Sequence, residues 1–362
     1  MKRKIKNSEI ALLFLLAFIL LAGWINLQAQ KQAELDYTLV VALKGKEDKQ
    51  ALAALEKGAS GEARETGKAP TSWEALLGLL RHVIHPGRRN ATEEHIPALL
   101  LYYHEFGRDS STPNIAVVRA LLEHGARITD RDEKGNTPLL LACCHPDSDM
   151  LRLILAQEAE VNVMNEDGET PLMNAAANSA ANTVQILLEH GANIEALDKD
   201  RKTPLMAAVE NDAFNVIPVL LEYKARVNAV DKDHQTALMI AANNDAASLV
   251  RLLLAHGACV DAIDKNGQTA LMIAAGNYAT DAVDALLEHE ATIEAVDKDH
   301  RTALMHAAER DASDVVRLLL EHGAKVATKD SHGKTALDYA RGNPESTSRE
   351  CEALLRKYGA KR

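Results

Sequence analysis

Thr137, Thr170, Thr203, Thr236, Thr269, Thr302 and Thr335 follow one another at a single constant interval, and an apolar stretch comes after each. The words they open are TPLLLACC, TPLMNAAA, TPLMAAVE, TALMIAAN, TALMIAAG, TALMHAAE and TALDYARG. A phrase repeated in strict register describes a row of small units, each burying its apolar face against the next, rather than one closed core. Composition points the same way. Hydrophobic residues make up 47% of the 362 residues but aromatics only 4%, so Leu, Ala, Val and Ile must fill an interior of closely packed helices.

Each unit reads as two helices. The threonine hydroxyl caps the first, and Pro138, Pro171 and Pro204 sit at its first position, where the missing N–H has no intrahelical partner in any case. Alanine pairs such as Ala175-Ala176 and Ala307-Ala308 leave room for the adjacent unit, and runs such as Val315-Val316-Arg317-Leu318-Leu319-Leu320 supply the apolar face of the second helix. Gly125, Gly191, Gly257 and Gly323 take the left-handed conformation that ends that helix.

This pattern resembles the ankyrin repeat, a β-turn finger plus two antiparallel helices in about 33 residues. The resemblance covers residues 130–362. It implies an all-α repeat solenoid that binds another protein through the concave face of its finger tips and first helices. Three departures carry expectations. Met173, Met206, Met239, Met272 and Met305 stand where the family has histidine, so packing replaces a polar bond. Asp212-Ala213, Asp245-Ala246 and Asp311-Ala312 replace the usual Gly-His, and the aspartates are expected to cap the second helix of their unit. Pro218 falls inside a second helix and predicts a bend there.

Upstream the phase is looser. Residues 37–59 read as two short helices around Gly45 to Asp48, residues 61–70 as a polar linker, and further helices are predicted over 73–84, 93–106 and 114–124. The N-terminus has a different chemistry. Ile10 to Ile25 runs without a charge behind MKRKIKNSE with its four bases, a transmembrane or signal helix at 10–25 that meets the membrane. The positive-inside rule leaves the tail in the cytosol and the rest on the far side, with a bacterial periplasm preferred. A single-pass anchor is the leading reading; a cleaved signal and a soluble periplasmic or secreted product is the alternative. The organisation expected is a basic tail with anchor or signal over 1–30, a degenerate helical cap over 34–129, six regular repeats over 130–331 and a capping repeat over 332–362.

Charge and motif content narrow the function. After residue 31 there remain 36 basic and 51 acidic residues, a net −15 that argues against tracking phosphates, so no nucleic-acid partner is expected. No cofactor is expected either: GxSxG, HExxH and phosphate-binding glycine loops are absent, and carboxylates and histidines follow the repeat period instead of converging. His124, His190, His256, His289 and His322 share one repeat position, but units stacked about 10 Å apart cannot bring them onto one metal ion. Their place at helix C-termini suits a cation. Tips such as Asp198-Lys199-Asp200-Arg201 lack the glutamate of a calcium loop and read as solvated turns. Cys143, Cys144, Cys259 and Cys351 read as small buried or half-buried groups.

The contact positions implied by the resemblance are, on the fingers, Glu166, Asp167, Glu169, Lys199, Asp200, Lys202, Lys232, Asp233, Gln235, Lys265, Asn266, Gln268, Lys298, Asp299 and Arg301. On the first helices they are Glu210, Asn211, Asn243, Asn244, Asn277, Glu309 and Arg310. The other classes consistent with this reading are a structural spacer or self-assembling envelope protein, and an accessory subunit regulating an envelope enzyme.

Overall fold

The computed structural model describes residues 115–144, 148–342 and 350–360, parts of 28–59, and Leu99 with Leu100. The apolar segment 10–25, the linker at 61–70, the helix predicted over 73–84 and most of that over 93–106 lie outside these residues. Among the described residues the secondary structure is helical without strands, and no helix is long and apolar enough to cross a membrane. The chain divides into two compact units, one of Met1–Ala142 with Asp147–Glu160, the other of Cys143–Pro146 with Val161–Arg362.

The first unit contains α1 (Asp48–Glu56), α2 (Ile115–Glu123), α3 (Pro138–Ala142) and α4 (Ser148–Leu155). α1 packs on α2, α2 on α4, and α3 on α4. Val117, Val118 and Leu121 of α2 are fully buried, and so are Leu151 and Ile154 of α4.

The second unit is a solenoid of helix pairs: α5 (Pro171–Ala177) with α6 (Ala181–Glu189), α7 (Pro204–Glu210) with α8 (Ile217–Glu222), and α9 (Ala237–Asn243) with α10 (Ala247–Ala255). It continues with α11 (Ala270–Gly276) and α12 (Thr280–Glu288), α13 (Ala303–Glu309) and α14 (Ser313–Glu321), and α15 (Ala336–Gly342) with the terminal α16 (Glu350–Lys357). The first helices stack in an unbroken row from α5 to α15. They can do so because Ala175, Ala176, Ala208, Ala241, Ala242, Ala274, Ala275, Ala307 and Ala308 are fully buried at the contact, where a longer side chain would hold the helices apart. The five methionines after the capping threonines are buried, so apolar packing fills the position from which the family's histidine is missing.

The caps work as the spacing requires. The hydroxyls of Thr170, Thr203, Thr236 and Thr269 accept the N–H three residues on, at 3.3–3.4 Å. Thr302 makes no such side-chain bond. Successive units are also tied by one side chain each in the loop after the second helix. Asn162 accepts from Asn193 N, Glu195 from Arg226 N, Asn228 from Cys259 N, Asp261 from Thr292 N and Glu294 from Lys325 N, all at 2.7–2.9 Å. Each acceptor lies almost a full repeat before its donor, so these bonds hold a unit to its neighbour.

Two expectations are corrected. Pro218 produces no bend: α8 starts at Ile217, later than its counterparts, which places the proline in the first turn where no intrahelical N–H bond is lost. The aspartates between helices do not cap their own second helix, since Ala246 and Ala312 stand at the N-caps without a side-chain bond. Asp212, Asp245 and Asp311 instead take the left-handed turn, with φ of 52°, 54° and 58°. Asp245 reaches the next unit, accepting the Ala282 N–H in the first turn of α12 at 2.8 Å.

The helix-ending glycines are left-handed as expected, but the same place is filled by Lys224 and Glu290, with φ of 70° and 60°. Glu290 closes α12 with the same pair of backbone bonds that Gly191 uses for α6. A side chain in that region costs roughly 1–2 kcal/mol, partly offset by glycine's larger entropy loss. Glu290→Gly is therefore expected to raise stability by about 0.5–1 kcal/mol in urea denaturation, whereas Glu290→Ala should leave the midpoint nearly unchanged.

Candidate functional site: the face of the finger tips and first helices

The finger acids are structural. Oδ1 of Asp231 accepts the N–H groups of Asp233 and Gln235, and Asp264, Asp297 and Asp330 make the same pair of bonds at 2.7–2.9 Å. All four are buried, so the expectation of solvated turns is corrected for Asp231, Asp264 and Asp297, while Asp198 at the earlier tip is half-buried. Its carboxylate replaces water for backbone donors that the tight turn would otherwise strand. Adjacent tips are joined by backbone bonds from Lys199 N to Asp167 O, Lys232 N to Asp200 O, Lys265 N to Asp233 O and Lys298 N to Asn266 O. The contact positions are thereby mounted on a continuous rail.

On this rail many of the residues singled out from the sequence pair with one another. Lys232 Nζ meets Asp200 at 2.7 Å and Lys265 Nζ meets Asp233 at 3.0 Å across neighbouring tips. Lys202 bridges to Glu210 at 2.7 Å, and Arg301 bridges to Glu309, each tying a finger to its own first helix. The hydrogen bond from Lys232 holds the Asp200 carboxyl below its usual range. Burial pulls the Lys202 ammonium down, but the bond and charge of Glu210 outweigh it and leave the pKa raised. Asn211, Asn244 and Asn277 cap the C-termini of first helices. Asn277 also donates to Asn243 at 2.8 Å.

One groove of about 430 Å³ opens on this face. The structure brings together there Asp167, Glu169, Lys199, Asp200, Lys202, Glu210 and Asn211 from the expected set, with Asp198, Met173, Asn174, Ala177, Thr203 and Ala207 completing it. Five carboxylates face two lysines, a net −3. The Asn165 amide orients Glu169 at 2.7 Å. Glu166, Lys232, Asp233, Gln235, Asn243, Asn244 and the later positions through Arg310 do not line it. Met173, Ala177 and Ala207 were missed because they read as core residues; their repeat positions place them at the floor between fingers and helices.

A second polar feature was not legible as a site. His306 Nε2 lies 2.9 Å from Asp297 Oδ2 and 3.5 Å from Gln268 Nε2 in a buried setting, where Arg301 and Glu309 are the nearby charges. One unit on, Tyr339 donates to Asp330 Oδ2 at 2.6 Å beneath the Arg301 guanidinium, which sits 4.7 Å from the ring centre. Burial, reinforced by that hydrogen bond, pushes the Tyr339 hydroxyl up to about 12. Burial, with Arg301 adding to it, lowers the pKa of His306 against the opposing pull of Asp297; because a carboxylate only accepts, Nε2 donates to Asp297. Below about pH 6.5 the unfolded chain then takes up a proton that the folded one resists, and stability falls with pH. Replacing His306 by isoleucine, the residue at Ile240 and Ile273 in the two preceding units, is expected to flatten this fall. Urea midpoints at about pH 7.5 and 5.5 measure it; an unchanged slope would acquit the histidine.

The C-terminal histidines bond their own helices. Nδ1 of His190, His256, His289 and His322 lies 2.8–2.9 Å from the carbonyl four residues earlier, and because a carbonyl only accepts, Nδ1 carries the proton. Among the described residues no group of histidine, cysteine or acidic side chains is arranged to hold a metal ion. Cys143 and Cys351 are buried; Cys144 and Cys259 are exposed, which corrects the expectation for those two.

Stacked helix pairs joined by hydrogen-bonded fingers, with polar side chains on one face and an interior closed by alanine and leucine, define a helical repeat protein. The chain belongs to the ankyrin repeat family: the model described as "Ankyrin repeats (3 copies)" matches residues 144–231, 223–297 and 280–361. The ankyrin repeat domain of Bcl-3, a member of the IkappaB protein family, is 30% identical with a TM-score of 0.54, covering 62% of this chain and all of that domain. The human ASB11 ankyrin repeat domain is 26% identical with a TM-score of 0.56, covering 63% of this chain and all of that one. No curated protein matches the chain. Ankyrin repeats generally mediate protein–protein interaction, and the family is typically a non-enzymatic scaffold.

Proposed function

We propose that the chain is a non-enzymatic adaptor that seats a basic segment of a partner protein on the face of its finger tips and first helices, centred on the groove between Asp167 and Asn211. The observation that carries this reading is the groove's net −3 on the face where sequence reasoning places contacts. Lys202 and Glu210 already satisfy each other, as do Asp200 and Lys232 from outside the groove, so Asp167, Glu169 and Asp198 against Lys199 leave a net −2 for an incoming Arg or Lys. Such complementarity governs encounter and register more than affinity. The test is capture of a partner from the native membrane fraction by the wild-type chain and by a variant with Glu166, Asp167 and Glu169 changed to Lys. A stoichiometric partner that the variant loses supports the reading; none for either protein points to a spacer.

The adaptor is tethered to a membrane through residues 10–25, with the repeats on the far side, in a bacterial periplasm. Support comes from the polybasic leader before the uncharged run of Ile10 to Ile25. Residues 34–129 serve as the cap before the repeats of 130–331, and 332–362 close the array. A C-terminal reporter active on only one side of the membrane tests the orientation, and cytosolic activity alone refutes it. An anchor stays with membranes through an alkaline wash, whereas a product cleaved near Gln30 is released.

A further inference from the structure

A second surface follows the repeat period. Met164, Leu197, Val230, Ile263 and Val296 stand one repeat apart, each one place before the finger aspartate or asparagine, and are 46%, 38%, 38%, 59% and 46% exposed. Lys329 holds the next place and ends the series. Leu197 and Val230 line a groove of about 630 Å³ with Val227 and Ala229, rimmed by Glu195, Arg201 and Arg226; it meets the acidic groove only at Thr203. Nothing in helix packing demands apolar side chains at these exposed places, and five in register make a stripe rather than scattered surface hydrophobes.

We infer that this stripe binds a polyproline II segment carrying an apolar side chain at every third residue. The first ground is spacing. Packed helices stack roughly 8–10 Å apart, so the stripe offers one apolar contact at about that interval. A polyproline II helix advances about 9.3 Å in three residues and presents the same edge each time. An extended strand covers that distance in about three residues too, but its side chains alternate, so every second contact would point away. The second ground is hydrogen bonding. Strand addition needs free backbone groups, yet the flanking N–H groups are already used: those of Asp198, Asp231, Asp264 and Asp297 donate to Lys202, Gln235, Gln268 and Arg301 carbonyls. On the other side Ala196, Ala229, Ala262 and Ala295 donate back into their own turns. Polyproline II asks for no ladder. The third ground is size and charge. Five half-exposed side chains amount to a few hundred Å², against about 800 Å² per partner in a stable globular interface. A second copy would also bring another −11 charge to the contact.

The test titrates the full-length chain with a labelled peptide of about fifteen residues, Leu at every third place and Pro between. One control has the same composition with the leucines in irregular order, and another is a helical peptide with leucine at every seventh place. The regular peptide is expected to bind, the controls to bind at least about tenfold more weakly, and Leu197→Lys with Ile263→Lys to weaken it by about tenfold or more. Ile263→Ser alone, with unchanged circular dichroism, should weaken it less but measurably. Reversal of the acids in the other groove should leave it unchanged, which separates this surface from the proposed adaptor face. No binding, equal binding of either control, indifference to the substitutions, or self-association abolished by them would overturn the inference.

Discussion

Replacing Leu253 by alanine is expected to lower the free energy of unfolding by about 3–4 kcal/mol, the range found when a fully enclosed leucine leaves a cavity. Leu253 is 0% exposed on α10, which packs against α9 of its own unit and α12 of the next. Those helices are held apart by their other contacts, so the space is not expected to collapse. The site lies in the middle of a row in which units touch only their neighbours. The loss should therefore divide the array: hydrogen exchange should quicken most in α9 to α12 and less in α14 and α16. Leu252→Ala on the same helix, where the side chain is only half-buried, should cost much less. A uniform loss of protection, or a change under about 1 kcal/mol, would mean that stability is not carried by contacts between neighbouring units.

Reversal of Glu166, Asp167 and Glu169 to lysine should slow association of a basic partner by about tenfold or more at low salt, because fields of this kind act on encounter. Two of the three line the groove, so its charge moves from −3 to +1. The effect should shrink towards physiological ionic strength, where exposed charges beyond about 8 Å are screened. Folding should survive, since the turn is closed by Asn165 accepting the backbone N–H groups of Asp167 and Glu169, and only the amide bond to the Glu169 side chain is lost. Stopped-flow association with an arginine-rich peptide, repeated with a captured partner, measures the change. Reversal at Glu56, Glu222 and Glu321, none of which lines the groove, is the control. Equal slowing from both sets would place recognition elsewhere.

The repeat unit, its two helices and the role of its threonines were legible in the sequence because they rest on local rules. A hydroxyl three residues before a free N–H, a proline in a first turn and alanines on one helical face act within a turn or two of helix, and each recurs with the repeat. The contact positions were legible only as an address. Their periodicity places them on the face of fingers and first helices, but whether Lys232 answers Asp200 across two tips depends on the distance between units, which no single unit encodes.

What the sequence by itself determined is thus the architecture: the period, the starts of the first helices and the resemblance to the ankyrin repeat. Tertiary structure decided the finer chemistry. Asp231, Asp264 and Asp297 read as solvated charges until the turns folded around them and turned them into acceptors for backbone N–H groups. Pro218 reads as a helix breaker until α8 is seen to begin next to it. His306 is one more residue of a capping phrase until Asp297 and Gln268 close over it. The physical reason is common to all three. A residue's neighbours along the chain set which local conformations are open to it, whereas its hydrogen-bond partners and its access to water are set by elements that only stacking brings together.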